Sequence, residues 1–229
     1  PCPWNTDMFG LDMSKPGAQD YIDSIIGLYA GWGVDFIKAD NMLDPYHAPE
    51  IEGFSRAIAR SGRDIVLSLS PGVDVDLARA GHLGQHCEMW RISADFWDRW
   101  SDLKAQFDLC ARWAPHIGPG HWPDADMLPL GHIGIRAERG IDRATLLTPD
   151  EQTTLMTLWA IFRSPLMFGG DLPTSSPETI ALLTNPEVIA VNQSSSANRQ
   201  LARRGDSIVW AADSPVPDEK YAAVFNIGD

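Results

Sequence analysis

The chain has 229 residues, 44% hydrophobic, 21% charged and 9% aromatic, a composition that excludes disordered and fibrous classes and supplies a large core. A formal net charge of −13 with scattered basic residues offers no footprint for a phosphate backbone, so a neutral partner fits better than nucleic acid. No apolar run approaches the roughly 20 residues of a spanning helix, no basic-then-apolar leader is expected, and Cys2, Cys87 and Cys110 lack CxxC spacing, so a membrane segment, a disulfide framework and a zinc knuckle are not indicated. Compartment and oligomeric state stay open.

In "SKPGAQDYIDSIIGLYAGWG" the spacing predicts a helix with Ser14 as N-cap, Pro16 in the first turn, Tyr21, Ile25, Leu28 and Tyr29 on one face, and Gly31 and Gly33 as stops. "DFIKAD" follows as a short strand. "HAPEIEGFSRAIARSG" places Ile51, Phe54 and Ile58 at helical spacing with Gly62 as terminator, and "DIVLSLSPG" is an apolar strand ended by Pro71 and Gly72. "LARAGHL" reads as a weak helix, "HCEMWRIS" as a strand, and "DFWDRWSDLKAQFDLCARWA" as a strong helix in which Trp97, Trp100, Leu103, Phe107 and Cys110 recur three or four apart. "GHWPDADML" is a strand end merging into a loop. "TPDEQTTLMTLWAIFRS" opens with Thr148 capping Pro149 and Glu151 placed for a capping box, "PLMFGGDL" is a buried strand, and Ser176 caps the short helix "SPETIALLTN" with Pro177 at its first position. Past residue 190, "DSIVWAAD" and "KYAAVFNIGD" are consecutive strands joined by turn residues.

Continuously apolar strands alternating with helices imply parallel pairing covered on both faces. The strand-like pieces end near Asp40, Ser70, Arg91, Asp126 and Gly169, which fits either an open doubly wound sheet or the C-terminal part, about strands 4 to 8, of a (β/α)8 TIM barrel. Polar residues gather at the C-terminal strand ends, and only a barrel brings such ends to one mouth, so the α/β barrel is the expected fold class. The expected division is a partial barrel over residues 1–190 and the start of an antiparallel β domain over 191–229.

Asp40 and Asp95, with Lys38 and Arg91 near them in sequence, are equipment for cleaving an acetal: one carboxylate attacks the anomeric carbon and the other delivers a proton to the leaving oxygen. Lys38 and Asp40 share a strand face, so the ammonium favours an ionised, nucleophilic carboxylate. Each residue also has a plainer reading: Lys38 and Asp40 as a strand-end ion pair, Asp95 as a helix cap, Met127 as core, and Asp35 as structural. His121, Asp124 and Asp126 suggest a rival metal-dependent hydrolase, although no second histidine stands at HxH spacing. The nine tryptophans suggest aromatic platforms for sugars, with core packing as the ordinary explanation. A carbohydrate-binding module without turnover is the rival outside enzymes.

"WGVDFIKAD", "MWRISADFWDRW", "GHWPDADMLPLG" and "TLWAIFRSPLMFGGDL" resemble, in order and spacing, the glycoside hydrolase family of α-galactosidases and α-N-acetylgalactosaminidases, the melibiase clan related to family 27, from about Trp4 to Asn192. The resemblance implies a retaining exo-α-glycosidase on a (β/α)8 barrel followed by an antiparallel β domain, with an α-galactoside substrate and no cofactor or metal. It implies Asp40 as nucleophile and Asp95 as acid/base, with Lys38, Arg91, Asp126 and Met127 at the sugar. Ser70 falls where the family faces the C2 substituent, and a serine there resembles the N-acetylgalactosaminidase choice; a β-L-arabinopyranosidase is a further alternative within the family. Met42 stands where relatives carry a disulfide-bonded cysteine, so that bridge is not expected. The resemblance also places the first three barrel strands outside these residues, so the chain reads as a fragment.

Overall fold

The computed structural model describes residues 5–73, 75–136 and 140–228, so Cys2 and Trp4 lie outside the described residues. The chain forms two compact units, Pro1–Ala94 and Asp95–Asp229.

The first unit alternates helices and strands: α1 (Ala18–Gly31), β1 (Phe36–Ala39), α2 (Ala48–Ser61), β2 (Val66–Leu69), α3 (Ala80–His86) and β3 (Met89–Arg91). The strands pair in parallel in the order β1-β2-β3, with Lys38 opposite Ser68 and Leu69 opposite Trp90. Such pairing needs a crossover element between strands, and α2 supplies the one between β1 and β2.

Two expectations for α1 are corrected. Gly17, at φ 83°, occupies the N-cap position, which leaves Pro16 ahead of the helix and not in its first turn, while the Ser14 hydroxyl donates to Asp12 Oδ1 at 2.6 Å, so Ser14 does not cap the helix. The buried face is set by Ile22 and Ile26 with Tyr29 packed beside them, whereas Tyr21 and Leu28 are exposed. Both apolar stripes have helical spacing, and periodicity alone cannot choose between them. Contact decides, because Ala57 of α2 and Ile65 meet the Ile22–Ile26 stripe. In α2, Ile51 is fully buried, Phe54 and Ile58 pack on the same cluster, and Gly62 ends the helix at φ 70°. Asp35 is structural, as expected: it pairs with Arg63, whose guanidinium also donates to the carbonyls of Val34 (2.9 Å) and Gly33 (3.0 Å).

On the outer side of this unit, Glu52 of α2 faces α3. Its Oε2 accepts from Arg56 Nη1 at 3.1 Å and its Oε1 lies 3.4 Å from His82 Nε2; these two bonds hold its carboxyl below the ordinary range, Arg56 first. The His82 and His86 rings stand 4.5 Å apart. Burial, then the neighbouring His82, lowers the His86 pKa.

The second unit contains α4 (Trp100–Trp113), β4 (Trp122–Asp124), the small antiparallel pair β5 (His132–Ile133) and β6 (Arg143–Ala144), α5 (Pro149–Phe162), α6 (Pro177–Leu183), α7 (Pro186–Ser194), and the antiparallel sheet β7 (Ser196–Arg204), β8 (Ser207–Asp213) and β9 (Lys220–Asn226). α5 begins with the expected capping box, Thr148 accepting from the Glu151 amide and the Glu151 side chain accepting from the Thr148 amide. α6 has the expected Ser176 cap. α4 begins at Trp100 with Arg99 at the N-cap position, which leaves Trp97 ahead of the helix and removes the capping role considered for Asp95.

"PLMFGGDL" is corrected from a buried strand to a single parallel bridge, Leu128 with Phe168, and Met167 is exposed. Pro165 has no amide to give a ladder, and Gly169 and Gly170 fit closely against Met127 and the carbonyls of Leu130 and His132, where a Cβ would collide. Besides the short pair β5 and β6, two longer elements were missed from sequence. α7 continues the chain just after α6, capped by Asn185, and β7 has an exposed, largely polar sequence without apolar alternation. β8 and β9 match their expectation, burying Ile208, Trp210 and Ala212 from one and Ala223 and Phe225 from the other. Phe225 packs edge-on against Phe107, and Trp210 against Phe162.

Trp90, Trp113, Trp159 and Trp210 are fully buried, so these tryptophans build core and not sugar platforms. Cys87 and Cys110 are free and buried, and burial pushes both thiols well above their ordinary pKa. Among the described residues no helix is long and apolar enough to cross a membrane.

The capping box yields a direct test. Thr148→Ala is expected to lower unfolding stability by about 1 kcal/mol in chemical denaturation, and an unchanged midpoint would remove the cap from the account.

Candidate active site

In the first unit, alternation along β1 turns Ile37 and Ala39 toward the helices, Ile37 onto the Ile22–Ile26 cluster, and leaves Phe36, Lys38 and Asp40 exposed on the opposite face. The parallel register then fixes the next residue. Ser70 N–H donates to Ala39 O at 3.1 Å, its carbonyl accepts from Met42 N–H at 2.8 Å, and its buried hydroxyl donates to Asp40 Oδ1 at 2.8 Å. Ser70, expected at the sugar, therefore holds one oxygen of Asp40 and leaves Oδ2 as the oxygen that this bond does not constrain.

Arg91 ends β3 at 2% exposure, and its Nη2 donates to Ala94 O (2.6 Å) and Ser93 O (3.3 Å). The guanidinium thus braces the backbone that leads to residue 95. Gly72 donates to Ser93 O at 3.0 Å, and a Cβ on it would lie 2.2 Å from Arg91 O, so the chain crosses here at a distance only glycine permits.

In the second unit, Asp95 is exposed and Phe96 is buried beneath it. The Phe96 amide donates to Asp126 Oδ2 at 2.7 Å. Asp126 is itself buried and sits at φ 83°, a left-handed conformation that aspartate tolerates better than most residues. Its amide donates to Asp124 Oδ1 at 2.8 Å and its carbonyl accepts from Trp159 Nε1 at 2.8 Å. Trp159 also packs on Phe96, ring centroids 5.0 Å apart. The amide of Ala125 donates to Ser164 Oγ at 3.0 Å, and Asn192 Nδ2 donates to Ser164 O at 2.8 Å. Asp126, expected at the sugar, is thus the buried anchor of the Asp95–Phe96 turn. Met127 is half-buried against Gly169.

A second brace follows Asp95. Asp98, 3% exposed, accepts from both Arg143 Nη1 (2.5 Å) and Nη2 (3.0 Å) and from the Leu146 amide (2.6 Å), and this pairing raises the Arg143 pKa. A cleft of about 380 Å³ lies beyond, lined by Trp97, His132, Arg136, Gly169 and Asp171 among others. A larger cavity of about 1060 Å³, between His132, Arg143, Thr174 and Asn185, contains none of the expected site residues.

The His121, Asp124 and Asp126 set does not converge as a metal site. Among the described residues the group that does is Glu52, His82 and His86. Sequence reading passed over these, although His82 and His86 stand one helical turn apart, a signal that was there to find. Nothing in the sequence marked Ser164 or Asn192 as supports.

These are parallel strands with carboxylates and basic residues at their C-terminal ends, joined to an antiparallel sheet. The family described as "Alpha galactosidase A" matches residues 11–194, and the chain belongs to this melibiase family. Alpha-galactosidase 2 of Arabidopsis thaliana is 32% identical over 93% of this chain and 50% of its own length. Two solved structures are similar throughout: a GH27 β-L-arabinopyranosidase from Geobacillus stearothermophilus (50% identity, TM-score 0.96, all of this chain and 53% of that one) and a putative α-N-acetylgalactosaminidase from Bacillus halodurans C-125 (47%, 0.84, all and 54%). The chain spans about half the length of the curated relatives it matches.

The Asp126 anchor is testable by truncation. Asp126→Ala orphans the Phe96 amide and is expected to cost about 2 kcal/mol in denaturant unfolding, and a wild-type unfolding curve would contradict the anchoring role.

Proposed function

We propose that the whole protein to which these residues belong is a retaining exo-glycosidase that hydrolyses terminal α-linked galactose. The observation that carries this reading is Asp40, at the end of a parallel strand with one carboxylate oxygen held by Ser70, in a chain of the melibiase family. In the proposed reaction Asp40 Oδ2 attacks the anomeric carbon while Asp95 protonates the leaving oxygen. Asp95 then takes a proton from water, which attacks the glycosyl-enzyme ester and regenerates Asp40. Two inversions at one carbon give net retention.

Lys38, two residues before Asp40 on the same face, supplies positive charge beside the developing carboxylate ester and a donor to sugar hydroxyls. Arg91, Ser70, Asp126 and Met127 complete the proposed sugar site, with Arg91 and Asp126 acting first through the backbone they brace. The proposed architecture is a (β/α)8 barrel contributing about its strands 4 to 8 over residues 1–190, with a β domain opening over 191–229. The parallel order β1-β2-β3 and the antiparallel β7-β8-β9 sheet support it.

A second reading has a specific observation behind it: the β-L-arabinopyranosidase is 50% identical across the chain. The two substrates share ring stereochemistry and differ by the hydroxymethyl group, so the same carboxylates serve either. Ser70, committed to Asp40, gives no independent support to an N-acetylgalactosamine preference.

In the whole protein, Asp40→Asn is expected to abolish hydrolysis of an aryl α-galactoside, and undiminished turnover would remove Asp40 as nucleophile. Ser70→Ala should lower kcat/KM about fivefold, the kinetic equivalent of a hydrogen bond of about 1 kcal/mol; an unchanged value would leave Ser70 outside the site. Comparing aryl α-galactoside, α-N-acetylgalactosaminide and β-L-arabinopyranoside decides the substrate, and preference for the last would replace the main reading by the second.

A further inference from the structure

We propose that Glu52, His82 and His86 form a binding site for a zinc-class divalent cation, on the outer face of the first unit and separate from the residues assigned to sugar cleavage. One ligand atom from each of the three lies within 4.8 Å of the other two, before any cation draws them together. The donor set, two imidazoles and one carboxylate, is the kind that Zn²⁺ and its borderline neighbours take, with a fourth position left for water. All three side chains are half-buried, so the site is shielded yet open to an ion from solvent.

The surrounding bonds orient the donors. His82 Nδ1 lies 2.6 Å from Tyr46 Oη, which directs Nε2 toward Glu52, 3.4 Å away. When the ion takes the place of the Nε2–H to Glu52 bond, the tautomer with Nδ1–H donating to the phenol oxygen presents the Nε2 lone pair to it, the arrangement in which a second partner fixes a ligand's tautomer. Glu52 is oriented likewise: Arg56 holds Oε2 at 3.1 Å, so Oε1 is the oxygen aimed at the imidazoles. Arg56 is in turn held by Gln19 Oε1 at 3.1 Å. His86 follows His82 by four residues on α3, which stacks the two rings on one face of the helix.

An ion at this point would join α2 to α3. It would also reach the loop between β1 and α2 through Tyr46, whose ring carries the Arg79 guanidinium 4.6 Å from its centroid and whose backbone bridges to Leu43. Binding to the folded state alone stabilises it by mass action. None of this depends on the glycosidase reading.

The test uses untagged full chain stripped with chelator, titrated with Zn²⁺ by calorimetry and with Co²⁺ by visible absorption. The expected result is one equivalent bound, tetrahedral-intensity cobalt bands, and a higher Tm with Zn²⁺. His82→Ala and His86→Ala should each abolish saturable binding, and Tyr46→Phe should weaken it about 10-fold or more while keeping the stoichiometry. Glu52→Gln keeps the shape of the side chain, so it serves where a histidine variant does not fold, and it too should weaken binding. Absence of saturable Zn²⁺ and Co²⁺ binding to the wild-type chain overturns the site, as does binding by folded Glu52→Gln with wild-type affinity.

Discussion

The parallel register between β1 and β2 is the constraint on which the proposed nucleophile depends. Pairing Lys38 with Ser68 and Ala39 with Leu69 brings the Ser70 amide to the Ala39 carbonyl. From there the Ser70 hydroxyl has Asp40 Oδ1 within reach at 2.8 Å. A slip of one residue would turn Asp40 toward the helices and bring Ile37 and Ala39 out to solvent, which the Ile22–Ile26 cluster forbids because Ile37 packs on it. The apolar contacts on one side of β1 therefore fix the chemistry on the other. Local propensity does little here, since β1 has only four residues.

In the second unit the same dependence of a polar site on buried packing is built differently. Asp126 spends its amide, carbonyl and carboxylate on Asp124, Trp159 and Phe96 respectively. Its left-handed backbone is a conformation of higher energy that these three bonds and the Phe96–Trp159 contact sustain. Asp98, held by Arg143 and the Leu146 amide, braces the chain on the far side of Asp95. Asp95 itself stays exposed while its neighbours on both sides are tied down. The acid/base role proposed for Asp95 needs that combination of access and fixed position.

Much of this was legible in the residues. The Thr148–Glu151 capping box, the Ser176 cap and the Gly62 stop are local chemistry, so they could be read directly and match the structure. The parallel strands β1 to β3 followed from short apolar runs between helices. The face of α1 could not be read, because Tyr21–Leu28 and Ile22–Ile26 are equally periodic stripes and only the partner helix distinguishes them. "PLMFGGDL" failed for a related reason: its apolar content promised a strand, but the proline and paired glycines served close packing instead of a ladder. Family resemblance put Asp126 and Arg91 at the sugar but gave no sign of their backbone partners, which come from residues distant in the chain or turned back on it. His82 and His86 carried a readable one-turn spacing, while Glu52 joins them only through the packing of α2 beside α3.

The family is established by the match over residues 11–194, and the central claim resting on it is that Asp40 forms the covalent bond to the sugar. The most direct measurement is trapping: the whole protein is incubated with a 2-deoxy-2-fluoro galactosyl donor bearing a good leaving group, digested, and the labelled peptide sequenced by mass spectrometry. The account predicts one fluorosugar, esterified to Asp40. A label on Asp95 or any other residue, or turnover of the donor to the inverted product without a label, would contradict it.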